Sequence, residues 1–287
     1  MVLMESVSET GAEAGETDMV FLNTLPLWLS GALLVGLTTL LAMAGPVLIR
    51  RRVSLDRLRV NNEVAGFKFA TVGVLYAVLL AFAVIVVWEK FSEAENVVAR
   101  EASALATLYR LADGIGGDPG TALRDSLGRY IRTAAAEDWP AMGRGTDSPA
   151  TTRALGAAYA ALLTFAPGDN RGTALLAEAL HQLDLVTQAR RTRLVLASGV
   201  VPGVLWFVLC SGAVLTVGFT LFFGSENVRI QALMTGILAF LIFSGLLVIS
   251  AIDCPFAGSV KVQPEGLLEV LEDFSATAPL GLERKTP

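Results

Sequence analysis

Four apolar runs, each long enough to cross a lipid bilayer, constrain this chain more than anything else in it: residues 27–49, 66–88, 199–223 and 230–252. A bilayer core takes about 20 apolar residues in helical form. Hydrocarbon offers no partner for an open backbone amide or carbonyl, so each run is expected to be a helix. Pro46 and Pro202 fall near run ends, where a lost backbone bond is tolerated. The composition agrees. The chain is 53% hydrophobic and 17% charged, with a mean hydropathy of +0.58, a balance foreign to an ordinary soluble domain.

The runs divide the chain. Residues 1–26 carry Glu5, Glu9, Glu13, Glu16 and Asp18 but no Lys or Arg. A secretory signal opens with positive charge, so this Gly-, Ser- and Thr-rich stretch is expected to be a disordered acidic tail. Residues 27–88 form one transmembrane hairpin and 199–252 a second, with a polar insert at 89–198 and a tail at 253–287. The expected fold is an all-α integral membrane protein, with four transmembrane helices in two hairpins and an inserted water-exposed helical bundle continuous with spans two and three.

Periodicity in the insert supports helices. Phe91, Val98, Leu105 and Ala112 recur every seven residues, with Ala94, Ala102 and Tyr109 between them. Span two therefore runs on to about Ala112, where Gly114, Gly116 and Gly117 end it. Asp118-Pro119 starts a second helix with a core face of Leu123, Leu127, Tyr130, Ile131 and Ala134, stopped by Pro140. Ser148-Pro149 starts a third with Leu155, Tyr159, Leu162 and Leu163 inward. A fourth, with Leu176, Leu180, Leu183 and Val186, flows through Arg190–Arg193 into span three. In the tail, Pro264 opens a short amphipathic helix whose face is Leu267, Leu268, Leu271 and Phe274, packed on the bundle or on a neighbouring subunit.

Ionisable groups gather at the rims of the spans, where they are paired, hydrated or functional. The loops 50–65 and 224–229 share one side of the membrane. There Asn61, Asn62 and Glu63 meet Glu226, Asn227 and Arg229. A Glu63–Arg229 ion pair, with amide bonds from Asn61 and Asn62, would staple the hairpins; the same set suits a pore mouth or gate. Asn61 also suits a helix cap. At the opposite rim, Glu89 and Glu93 lie one turn apart, level with Asp253 and with Arg190, Arg191 and Arg193. Around an oligomer axis these acids form stacked rings that favour cations; otherwise they belong to a solvated helix face. Along span two, Gly66, Ala70, Gly73, Ala77 and Ala81 make a stripe of small residues, suited to helix packing within or between subunits or to lining a narrow apolar pore.

Several functions are disfavoured. The middle of every span lacks Asp, Glu, Lys, Arg and His, which argues against a proton relay or charge-coupled transporter. Cys210 and Cys254 differ in depth by roughly 15–20 Å, too far to bridge. His181 has no companions for a zinc site. No nucleophile motif or phosphate-binding glycine loop occurs, so neither an enzyme nor a cofactor is expected. A net charge of -5 gives no basis for binding nucleic acid.

The stretches "RVNNEVAGFKFATVGVLYAVLLAFAVIVVWEKF", "LCSGAVLTVGFTLFFGSENVRIQALMTGILA" and "DCPFAGSVKVQPE" resemble the bacterial bestrophin-like domain family over roughly residues 27–275. Asn61–Gly66 and Glu226-Asn227 carry most of the likeness, and "EDWPAM" at Glu137–Met142 is similar to the family's insert. The family usually has Asp-His-Pro-Phe where this chain has Asp253-Cys254-Pro255-Phe256. The resemblance implies four spans and kinship to bestrophins, which are oligomeric anion channels. The expected function is a homo-oligomeric ion channel in a bacterial plasma membrane, with span two near the axis and inorganic ions and lipid as partners. The alternative is a non-conducting scaffold or sensor whose bundle binds a protein. Arg50, Arg51, Arg52, Arg57 and Arg59 assign the first loop to the cytoplasm and both termini and the insert to the outside. Bestrophin kinship implies the reverse, with the insert in the cytosol.

Overall fold

The computed structural model describes residues 27–60, 62–199 and 201–276. The acidic tail expected at 1–26 and the site residue Asn61 lie outside them. Among the described residues the regular structure is helical, without strands. Two compact units form. Of the described residues, one holds those from 27 to 91 with those of 199–254 and 258–261; the other holds 92–198, 255–257 and 262–276.

The membrane unit contains the four long apolar helices: Trp28–Arg52, the first part of Asn62–Ile115, Gly203–Phe222 and Val228–Ile252. The first includes a π-helical segment, Ala32–Leu37. Thr38 ends this segment by donating its hydroxyl to the carbonyls of Leu34 and Val35. The fourth helix is the hub. Glycines let large neighbours come close to it: Met43 of the first span lies over Gly236 and Leu80 of the second over Gly245. Thr235 donates to the Thr220 hydroxyl of the third span at 3.3 Å. Elsewhere Tyr76 lies against Gly212, and its hydroxyl donates to the Leu209 carbonyl at 3.0 Å. Contact of this kind replaces the hydrophobic effect, which has little force between helices already in lipid. Outward, Phe67, Leu75, Phe82, Phe207, Leu215 and Leu241 are exposed, as a hydrocarbon surround requires.

The helical unit has its own core. The latter part of Asn62–Ile115 is followed by helices Gly117–Thr133, Pro149–Leu163 and Asn170–Ala197. Gly116 and Gly117 make the first turn at φ 65° and 59°, where a side chain would be strained. A Cβ on Gly120 would lie 2.3 Å from the Ala112 carbonyl oxygen, so only glycine admits this reversal. Ser148 caps the next helix, accepting from the Ala150 and Thr151 amides at 3.2 and 3.4 Å. Asp169 does the same for the Gly172 amide at 2.6 Å. Leu105, Leu123, Leu127, Ile131, Leu162 and Leu183 are buried together. The tail helix Glu265–Ala276 packs on this unit through Leu267, with Phe274 stacked on Tyr109 at 4.6 Å.

Three details depart from expectation. The second span does continue unbroken to Ile115, but the junction before the third span is interrupted. The helix ends at Ala197, Ser198 is extended, and the next helix opens at Gly203 after Pro202. Proline holds its predecessor out of helical geometry. Pro140 does not stop a helix; the chain passes through a π-helical turn, Ala134–Asp138, and Pro140 sits in the first turn of Trp139–Met142. Leu163 is exposed rather than in the core.

The close approaches make a direct prediction. A Cβ at Gly224 would stand 2.9 Å from the backbone nitrogen of Arg59, whereas one at Gly218 meets nothing within 4 Å. Gly224→Ala should destabilise the detergent-purified protein by roughly 1–3 kcal/mol in thermal unfolding, and Gly218→Ala should leave it unchanged.

Candidate functional site

At the loop end of the membrane unit, the second span starts with Asn62 and the fourth with Val228. The Asn62 side chain makes a two-way amide bond with Gly224, donating to its carbonyl and accepting from its amide, each at 2.8 Å. Gln231 donates to the Phe223 carbonyl at 2.6 Å. Asn227 caps the fourth span, accepting from the Arg229 and Ile230 amides at 3.1 and 3.3 Å. The acids and bases pair differently from the sequence expectation. Glu226 pairs with Arg59 across the two loops, and Glu63 and Arg229 are exposed without an ion pair to each other. Leu58, packed on Gly224, brings Arg59 close to the 224–229 turn.

At the other end, Asp253 is buried and closes the start of the third span. Its carboxylate accepts from the Val201 amide at 2.8 Å and the Trp206 indole at 3.4 Å. The Val201 amide lies in the break between the two helices, where a backbone donor needs an acceptor from outside, and the Trp206 indole comes from the helix that follows. Glu89 is exposed and Glu93 half-buried along the long helix.

The small stripe of span two faces away from its own bundle. Ala70, Ala77 and Ala81 are exposed, a Cβ at Gly73 meets nothing within 4 Å, and Gly66 reaches only Phe223 at 3.9 Å. Packing within the chain falls instead to Ala65, Tyr76, Ala83 and Val87. Of the uses open to the stripe, packing inside one subunit is removed.

The most highly ordered chemistry lies in the helical unit. Arg190 and Arg193 were expected at the rim beside Glu89 and Asp253. They are buried in this unit's core, and of the three arginines only Arg191 is exposed. Arg193, 0% exposed, grips Glu101 with two bonds, Nε to Oε2 at 2.9 Å and Nη2 to Oε1 at 3.2 Å. Its Nη2 also reaches Asp138 at 3.4 Å, and its guanidinium lies 4.2 Å from the centre of the Trp139 ring. Arg190 grips Asp138 through Nε at 2.8 Å and Nη2 at 3.0 Å, and donates to Thr152 at 3.1 Å. Tyr130 donates to Glu101 at 2.5 Å, and the Ser148 amide donates to Asp138 at 2.9 Å. Trp139 donates its indole N–H to the Val262 carbonyl at 3.0 Å, joining the tail to the same cluster.

Two cations thus meet two acids, and each is fixed by directional bonds. Burial alone would push the Asp138 carboxyl up, but the bond from Arg190, the Ser148 amide and the two guanidinium charges hold it below its usual range. Burial opposes charge on Arg190 and Arg193 too. Bonding to Asp138 for the first and the Glu101 charge for the second outweigh it, raising both. Burial and then the Glu101 charge push the Tyr130 hydroxyl well above its ordinary value. Sequence reading placed Tyr130 in the core but missed Glu101 and Asp138 as partners. The available signal was Glu101 on the buried stripe between Val98 and Leu105, and the i, i+3 spacing of Arg190 and Arg193 on a buried face. The arrangement holds charge without exposing it, so it locks six segments together rather than presenting a reactive group. His181 is exposed, both cysteines are free, and no cluster of metal-ligating side chains occurs among the described residues.

The Bestrophin-like domain model matches residues 36–267 of this chain. Among curated protein sequences nothing matches. The fold is similar to that of a bacterial bestrophin homologue from Klebsiella pneumoniae. A point-mutant structure of that protein superposes with a TM-score of 0.68 at 15% identity, covering 84% of this chain and 99% of the other. A second structure of it, phased on zinc, gives a TM-score of 0.65 at 16% identity, covering 85% and 99%. At these identities the likeness is one of fold.

Breaking one side of the buried cluster should be costly, because it strands a charge. Arg193→Met or Glu101→Leu alone should cost about 3–5 kcal/mol of stability, and the double variant much less than the sum, measured by denaturant unfolding. The depressed Asp138 carboxyl adds stability that is complete above its unfolded pKa, near 3.9, and is lost as pH falls through the folded value. Asp138→Asn should therefore flatten the acid limb of the stability–pH curve.

Proposed function

This multi-pass membrane protein belongs to the Bestrophin-like domain family, and from that premise we propose that it is a homo-oligomeric ion channel with span two nearest the axis. One observation carries the reading. The outer stripe of span two, Ala70, Gly73, Ala77 and Ala81, has no packing role within the chain. Small residues facing lipid are wasted on a lone subunit, but they let copies of a helix approach closely around an axis. Between Lys68 and Glu89 this helix has no Asp, Glu, Lys, Arg or His, which suits a narrow apolar constriction. Glu89 and Glu93 follow on the same helix, and repeated around an axis they would select by charge. Structures described as bestrophin homologues share the fold, which supports the same class of protein.

Charge carries the orientation. Arg50, Arg51, Arg52, Arg57 and Arg59 belong on the cytoplasmic side, which leaves the N-terminus, the helical unit and the C-terminus outside. With Cys210 and Cys254 replaced by serine, a cysteine at Ser54 should react with an impermeant maleimide only after cell lysis. Reaction in intact cells would reverse the orientation and match what bestrophin kinship implies.

The purified protein reconstituted in liposomes should pass inorganic ions. Ala77→Trp should reduce flux to that of empty vesicles, and Glu89→Gln with Glu93→Gln should shift the reversal potential away from cations. A monomer in mild detergent, with no flux at any tested pH, salt or calcium concentration, would exclude a channel and leave a non-conducting scaffold as the reading.

A further inference from the structure

We propose that the arginine loop between the first and second spans is a binding site for the phosphate of anionic membrane lipid. Arg50, Arg51 and Arg52 form the last turn of the first span, where the unsatisfied carbonyls of a helix C-terminus favour cations. Val53 then turns out of the helix, extended at φ -121° and ψ 129°, and the short helix Leu55–Arg59 adds Arg57 and Arg59.

The loop is built rather than loose. Leu58 lies against Gly224, Asn62 makes its two-way bond to Gly224, and Arg59 is engaged by Glu226. With Arg59 occupied, Arg50, Arg51, Arg52 and Arg57 remain, and none of them is in an ion pair among the described residues. The Nη1 atom of Arg50 is buried and has no hydrogen-bond partner. A buried donor of that kind needs an acceptor. The acids that face this region are Asp56, on the short helix, and Glu63, in the first turn of the second span. Both are exposed, and they are too few to neutralise four guanidinium groups.

Guanidinium forks match phosphate oxygens two at a time. That chemistry alone does not separate a lipid headgroup from free phosphate. The neighbouring surface does. Leu41, Val47 and Leu48, on the same helix as Arg50–Arg52, are exposed apolar side chains. The site thus offers cations at headgroup level and a greasy wall beneath them, which fits a phospholipid with its acyl chains. A soluble anion would use only the upper half. The proposal is independent of ion conduction, since it concerns the lipid-facing rim of the membrane unit.

Native mass spectrometry of the full chain, released from detergent micelles with phosphatidylglycerol or phosphatidylcholine, tests it. Phosphatidylglycerol should be retained preferentially, with retention falling as salt rises. Each arginine removed should weaken it roughly five-fold, so the triple variant R50Q/R51Q/R52Q should lose the preference, while R51K/R52K keeps most of it and R171Q, a surface change in the helical unit, keeps all. Monodisperse elution and unchanged helix content show that each variant is folded; if the triple variant fails that check, R51Q and R52Q singly give the same readout. Equal retention of both lipids, or undiminished phosphatidylglycerol binding in the folded variants, would overturn the proposal. Displacement of the lipid by millimolar inorganic phosphate would overturn the lipid assignment and make this a free-anion site.

Discussion

Hydrocarbon provides neither donors nor acceptors, and every other feature of the membrane unit follows from that single lack. It forces the backbone into helices. It also removes the driving force that would press apolar side chains together, so the helices must find other reasons to touch. Here the reason is fit between glycine and a large neighbour: Gly236 beneath Met43, Gly245 beneath Leu80, Gly212 beneath Tyr76. The fourth span gathers two of these contacts and the Thr235–Thr220 bond, and it is accordingly the most enclosed of the four. Where helices end, side chains supply what the helix cannot. Asn62 does so at Gly224, Asn227 at the start of the fourth span, and Asp253 at the start of the third.

The helical unit inverts this arrangement. Water drives Leu105, Leu123, Leu127 and Leu183 inward by the ordinary hydrophobic effect. The same core carries charges that lipid excludes from the spans. Arg193 can be withdrawn from water completely because Glu101 takes two of its bonds, Asp138 a third, and Trp139 covers its face. A pair of this kind contributes less to net stability than its many bonds suggest, because desolvation offsets much of the gain. What it does supply is register. The long helix, the Tyr130 helix, the Asp138–Trp139 turn, the helix start at Ser148–Thr152, the Arg190–Arg193 helix and the tail at Val262 must all be in place before every bond is made.

The spans were legible because hydropathy over a long window is nearly a direct reading of physics. Trp28–Arg52 and Val228–Ile252 begin and end within a few residues of the apolar runs at 27–49 and 230–252. The cap at Ser148 was legible for a similar reason: its hydroxyl acts on amides two and three positions away, so local sequence contains both partners. The pairing of charges was not. Glu63 and Arg229 looked like partners because both lie at one rim, yet Arg59 takes Glu226, since Leu58 on Gly224 brings the loop that way. Arg190 and Arg193 looked like rim charges because they precede an apolar run. They are core residues because a break at 198–202 ends their helix before the span begins.

By itself, then, the amino-acid order determined how many helices are long and apolar enough to cross a bilayer and roughly which residues they take. Those properties depend on residue type summed over a window, and a window is a property of sequence. Only the tertiary structure decided which acid meets which base, which face of span two its own bundle leaves uncovered, and which arginines are withdrawn from water and which remain at the surface. Those outcomes turn on distances of a few ångströms between residues far apart in the chain, as with Glu101 and Arg193 at 2.9 Å, and no local pattern encodes such distances.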